Sequence, residues 1–229
     1  MSLNEKVAIV TGGSRGLRAT IARELASRGA NVLITYNSAK GEADKVAQDI
    51  VRKGREALMV QCRGDDRAAP VQVVSAAVTK WGRIDIIINN AAFGDDMALT
   101  EITHDLWDKT FDTNIRMPAF LIKEAMPHFG SAPRIVNISS TAARAAALEG
   151  LTRVLARELG QGYNLTINCV NPGPIATDMW FKHTEPEISE AAEAVKKGTP
   201  AAPRIAETDD IAQICTGSVV NANGGLVFV

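Results

Sequence analysis

Short runs of β-branched, apolar residues alternate with stretches of helical periodicity along most of the chain. Lys6–Val10 reads as a compact strand that stops at Thr11-Gly12-Gly13. Leu17, Ile21 and Leu25, with Ala22 and Ala26 beside them, recur at helical spacing until Gly29 ends the pattern. A strand over Asn31–Thr35 follows, then a helix carrying Ala43, Val46, Ala47, Ile50 and Val51 that closes at Gly54. Glu56–Cys62 predicts a third strand, and Val71, Val74, Val78 and Trp81 a third helix ending at Gly82. Ile84–Ile88 predicts a fourth strand, and a long helical region containing Phe111, Ile115, Ile122 and Met126 comes after it. Arg134–Ile138, Leu165–Val170 and Ser218–Ala222 predict strands five, six and seven, with a helix bearing Leu151, Val154, Leu155 and Leu159 up to Gly160 between the first two.

The strands are apolar on both sides rather than alternating, which is what burial beneath helices on both faces demands. The pattern therefore predicts one domain over residues 1–229, an α/β Rossmann-type doubly wound fold with a seven-stranded parallel sheet. The polar, poorly periodic stretch 180–203, with Pro186, Pro200 and Pro203, breaks this rhythm and reads as a substrate-side lid beyond the sixth strand.

Composition narrows the function classes. The 229 residues are 46% hydrophobic and carry a formal net charge of −1, so no basic field draws nucleic acid or anionic lipid. No apolar run approaches the ~20 residues that span a bilayer. The N-terminus shows no secretory pattern, and three cysteines without paired spacing suit a reducing compartment, so a soluble cytoplasmic protein is expected. His104, His128 and His183 stand far apart, and no metal site is expected.

Candidate chemistry starts at Thr11-Gly12-Gly13-Ser14-Arg15-Gly16-Leu17-Arg18, a glycine-rich turn from the first strand into the first helix. Such a turn lets a phosphate approach the backbone at a helix N-terminus. No Gly-Lys-Ser/Thr follows, so it is not a nucleotide triphosphate loop. A site for NAD needs a carboxylate at the end of strand two, and here the chain reads Thr35-Tyr36-Asn37-Ser38. Arg15 in the turn offers a partner for a 2′-phosphate, so the expected cofactor is NADP(H).

The turn, Asn89-Asn90-Ala91-Ala92 after strand four, Asn114 within Phe111–Ile115, Ile135–Ser140 and Asn171–Thr177 together resemble the short-chain dehydrogenase/reductase family, in the family's order and over nearly the whole chain. The resemblance implies an oxidoreductase that moves a hydride between NADP(H) and a ketone or secondary alcohol. By it, Ser140 polarises the carbonyl and Asn114 orders a water. Gly12, Ser14, Arg15, Gly16, Leu17, Tyr36, Asn37, Ser38, Asn89, Ala91, Pro172, Gly173, Ile175 and Thr177 contact the cofactor. It also implies a small carbonyl substrate and a homotetramer or homodimer. A nucleotide-sugar epimerase of the extended relatives would need a further substrate domain.

The family's proton donor is a tyrosine in Tyr-x-x-x-Lys, roughly a dozen residues after the serine. Thr141–Leu151 contains neither residue. Tyr163 reads as part of the Gly160–Asn164 turn. Tyr36 and Lys40 form the literal motif but on the adenosine side, far from Ser140. A second shortfall follows Ile214, where Cys215–Val220 leads into the last strand with most of a crossover helix absent. The two shortfalls, some two dozen residues in all, read as segments omitted from the sequence, with the Tyr/Lys pair after Ala147. The other reading is true deletion, and with it a catalytically silent NADP(H)-binding sensor or scaffold.

Three further positions depart from the family. Arg18 replaces the turn's third glycine, Ala92 the glycine of its NNAG motif, and Arg63-Gly64 an Asp-Val pair near adenine. Arg18 either loosens helix-strand packing or adds a phosphate contact. Met179, Trp180 and Phe181 are either ordinary packing or an apolar wall for substrate.

Overall fold

The computed structural model describes residues 2–94, 98–139, 146–172, 175, 177 and 207–217. Its elements run β1 (Val7–Val10), α1 (Gly16–Ser27), β2 (Asn31–Tyr36), α2 (Lys40–Arg52), β3 (Ala57–Gln61), α3 (Ala69–Trp81) and β4 (Ile84–Asn89). There follow α4 (His104–Phe111), a π-helical turn (Asp112–Arg116), α5 (Met117–Ala125), β5 (Phe129–Ile138), α6 (Ala146–Tyr163), β6 (Thr166–Val170) and α7 (Thr208–Gly217). The strands form one parallel sheet in the order β3-β2-β1-β4-β5-β6. That is the doubly wound order, whose reversal between β1 and β4 opens a crevice at the carboxyl ends of the strands.

Burial on both faces explains the unalternated strands. Ala8 and Val10 face a cluster with Ile21 and Leu25 of α1, Val46 and Ile50 of α2, and Ile211 of α7. Ile9 faces the opposite cluster, with Val73 of α3, Leu121 of α5 and Leu159 of α6. One row, Leu33–Ile9–Ile87–Ile135–Ile167, crosses five strands in register. The row above the last apolar layer is Asn89–Asn137–Cys169, so the sheet turns polar as it reaches the crevice.

Several boundaries differ from expectation. Six strands lie among the described residues, and the seventh predicted strand, 218–222, lies outside them, as does the stretch 180–203. The helical region after β4 is broken by the π-helical turn. Strand β5 starts at Phe129, five residues before the predicted start. Helix α6 runs past Gly160 to end on Tyr163, which is therefore helical rather than in a turn. Cys215–Gly217 continue helix α7.

In the 229 residues Ala147 and Leu148 are successive in α6, and Ile214 and Cys215 in α7, and no Tyr-x-x-x-Lys follows Ala147. Helix α7 packs on α1, with Thr20 Oγ1 donating to Thr208 Oγ1 at 3.1 Å and Ile211 in the core. No helix among the described residues is long and apolar enough to cross a membrane.

Candidate active site

The turn after β1 is built by hydrogen bonds that tie three strand ends together. Thr11 Oγ1 accepts from the amides of Asn90 and Ala91, both at 2.9 Å, so β1 is laced to the end of β4. The Gly12 amide donates to Thr35 Oγ1 at 2.9 Å, which adds β2. Gly12 holds φ +66°, a left-handed conformation that side chains resist. A Cβ on Gly13 would lie 2.7 Å from Ile34 Cγ2, so glycine is required there by space. Helix α1 then begins with Arg15 as N-cap and no acidic residue in its first turn.

A groove of about 460 Å³ runs along these ends. Of the residues expected to hold a cofactor, Gly12, Ser14, Arg15, Tyr36, Asn37, Ser38 and Ala91 line it. Gly16 stands beside the described Thr177, whose Cγ2 is 3.6 Å from where a glycine Cβ would be. Leu17 turns its side chain into the core, as Ile175 does on the same face. Asn89 is buried and donates to Asn137 Oδ1 at 2.9 Å; Asn137 donates to Thr152 Oγ1 at 2.8 Å. This chain braces the β4 end against α6. Pro172 is buried at the end of β6, while Ser140 and Gly173 lie outside the described residues.

Asn114 sits in the π-helical turn, and its carboxamide grips the backbone of Phe93. Its Nδ2 donates to the Phe93 carbonyl at 2.7 Å and its Oδ1 accepts from the Phe93 amide at 2.9 Å. The extra residue in the turn aims the side chain at the loop after β4. Tyr36 is 8% exposed at the end of β2, and Lys40 is ion-paired with Asp44 at 2.9 Å, so the literal Tyr-x-x-x-Lys is not a working pair. Tyr163 packs edge-on against Phe129, where β5 begins, at the opposite end of the strands from the groove.

Four cations reach the groove: Arg15, Arg18, Arg63 and Lys109. Arg63 is paired bidentately with Asp65, its Nη2 2.6 Å from Oδ2, and the guanidinium holds that carboxyl below its ordinary range. Lys109 lies 3.9 Å from the centre of the Phe93 ring. Burial, and then the charge of Arg15, push the Arg18 guanidinium down from the usual arginine value. Cys62 also lines the groove, and burial pushes its thiol up. Lys109 and Thr113 escape a reading of motifs because α4 and the π-helical turn bring them to the groove, and Asp65 and Phe93 because they lie in the loops after β3 and β4. A metal centre is not formed by the histidine, cysteine and carboxylate side chains among the described residues.

Sheet order and groove define an open α/β domain with a ligand crevice at its topological switch point. The short chain dehydrogenase family profile matches residues 6–188. The short-chain dehydrogenase/reductase FrzI of a Cladobotryum species is 53% identical over 253 aligned positions that cover 100% of this chain and 98% of that protein. Among solved structures, a blue fluorescent protein from a metagenomic library, in complex with NADPH, is 36% identical at a TM-score of 0.84, covering 94% of this chain and 90% of its own. A Burkholderia cenocepacia short chain dehydrogenase in complex with NADP is 34% identical at a TM-score of 0.84, covering 93% and 90%. The chain belongs to the short-chain dehydrogenase/reductase family of oxidoreductases. The FrzI alignment is 24 positions longer than the 229 residues here, close to the two dozen that the motif spacing leaves unaccounted for.

Proposed function

We propose that the protein is an NADP(H)-dependent oxidoreductase acting on a ketone or its secondary alcohol. The observation that carries this reading is the charge of the groove: three arginines and a lysine line it against one carboxylate, Asp65, which is paired with Arg63, and the end of β2 has no carboxylate to take a ribose hydroxyl. The backbone fits the cofactor as well, because Gly12 leaves room where a side chain would crowd Ala91. Two NADP(H) complexes among the similar structures support the same choice.

NADP(H) bound here would supply or accept the hydride. The turn and Arg15 hold phosphate, the tail of β2 takes the adenosine ribose, and Asn114 fixes the loop under the nicotinamide by gripping Phe93. Ser140 polarises the carbonyl. The alkoxide oxygen takes its proton from water, since neither Tyr36 nor Tyr163 is placed to give one. A positioned general acid is worth about 10²–10⁴-fold in rate, so turnover without it is slow. In this reading the protein works in the cytoplasm. The exposed Trp107, Phe111 and Phe120 suit burial in a homotetramer or homodimer.

The likeness to oxidoreductases does not favour the other reading, an NADP(H)-binding module that performs no turnover, although helix α6 opens at Ala146 without a Tyr-x-x-x-Lys. A single experiment separates the two: NADPH binding by fluorescence, and NADPH consumption over a broad ketone panel, on the same preparation. Binding with slow consumption supports the reductase; binding with none across the panel assigns the silent module; no binding sinks both.

A further inference from the structure

We propose that Arg18 is a further cofactor-binding residue, its guanidinium held against the pyrophosphate of the dinucleotide. The assignment rests on the cofactor reading above. Arg18 is the third residue of α1, and its side chain bends back across the turn: Cδ lies 3.2 Å from where a Cβ on Gly12 would stand. It reaches the groove in company with Gly12, Ser14 and Arg15.

Without an anion this placement is unfavourable on every electrostatic count. The start of a helix carries partial positive charge and prefers acids. Helix α1 has none in its first turn and instead places Arg15 at the cap and Arg18 within it. Arg18 is partly buried, and the influences on its charge are burial and Arg15, with no carboxylate among them. A partly buried cation beside a second cation at a positive helix end asks for a negative group, and a pyrophosphate brings two charges to that point.

Position selects the pyrophosphate over the 2′-phosphate. Gly12 abuts Ala91 at the end of β4, with the Ala91 Cα 3.3 Å from a glycine Cβ, so Arg18 stands mid-groove. Tyr36, Asn37 and Ser38 lie at the end of β2, where the adenosine ribose belongs. Arg15, exposed at the cap, is left for the 2′-phosphate. The stem of Arg18 also covers Gly12, which accounts for an arginine in place of the family's glycine.

The test is a titration of the wild type, Arg18→Met, Arg18→Lys and Arg15→Met with NADPH, NADH, ADP and adenosine 2′-monophosphate, with melting of the free proteins alongside. Methionine keeps the stem over Gly12 and removes the charge. Arg18→Met is expected to weaken NADPH, NADH and ADP each about ten-fold or more, the size of one lost charge-assisted contact, and to spare adenosine 2′-monophosphate. Arg15→Met should show the converse selectivity, Arg18→Lys should recover part of the ADP affinity, and free Arg18→Met should melt no lower than wild type. If wild type binds NADPH and Arg18→Met matches it on ADP and NADH, the Arg18 assignment is wrong and the cofactor reading stands. Failure of Arg18→Lys to improve on Arg18→Met also overturns it. A wild type that binds neither NADPH nor ADP overturns the cofactor reading and this assignment together.

Discussion

The two ends of the crevice are built to different standards. At the β1–α1 end, every strand terminus is tied: Thr11 to β4, Gly12 to β2, and cations converge on a glycine cradle. At the β5–α6 end, Asn137 and Thr152 still brace the sheet against the helix, yet α6 opens without the acid its family uses. Binding and proton transfer are therefore separable in this fold. The first depends on backbone geometry set by the sheet, and the second on a few side chains carried by one helix turn.

The sharpest way to press on that contrast is rate. Turnover of a ketone is expected to lie about 10²–10⁴-fold below that of family members that carry Tyr-x-x-x-Lys, while NADPH affinity is ordinary. Stopped-time NADPH consumption against a titrated Kd measures both, and a fast enzyme would erase the distinction between the two ends.

Next comes the cradle. Gly13→Val places branched carbons against Ile34, where even a Cβ would approach to 2.7 Å, and overpacking of this kind costs about 1–3 kcal/mol. NADPH binding should fall by roughly ten-fold to a hundred-fold, with a lower Tm, whereas conservative changes at Val154, exposed on α6, should leave both unchanged.

A smaller effect is expected at the clamp. Asn114→Ala removes two hydrogen bonds to Phe93, each worth about 0.5–1.5 kcal/mol net. Faster amide exchange at Phe93, with the β1 and β2 amides unaffected, is the expected signature. Protection unchanged at Phe93 would mean that the loop is held by something else.

Smallest is the behaviour of the thiols. Burial pushes Cys215 up to about 12, so it stays protonated and resists iodoacetamide at pH 8. The raised value keeps the proton bound in the folded state, so its contribution to stability is present below pH 9, the ordinary thiol value, and is lost as pH rises from there towards 12. Mass analysis of alkylated peptides and an alkaline melting series check the two halves of that statement.

Much of this was legible from residue order. Gly29, Gly54 and Gly82 all follow helices and all have positive φ, so the predicted helix ends hold to within a few residues. The start of β5 was not legible, because Gly130-Ser131-Ala132-Pro133 reads as a turn. It is drawn into the sheet by pairing of Phe129 with Ile84, and after a register shift the pairing resumes at Ile86 and Arg134. The π-helical turn escaped for a similar reason: its Asn114 answers to Phe93, 21 residues away. Asn89 matched a cofactor-contact pattern, and in the structure its Nδ2 donates to Asn137 while its buried Oδ1 has no partner among the described residues.

Periodicity, glycine placement and the lack of a carboxylate after β2 are properties of short segments, and by themselves they determine the order of elements, the doubly wound class and the cradle. Only the tertiary structure decides that Arg18 folds back over Gly12, that Lys109 and Asp65 join the groove, and that Asn114 clamps a loop. Those contacts join residues far apart in the chain, and no local preference encodes a distance that only packing sets.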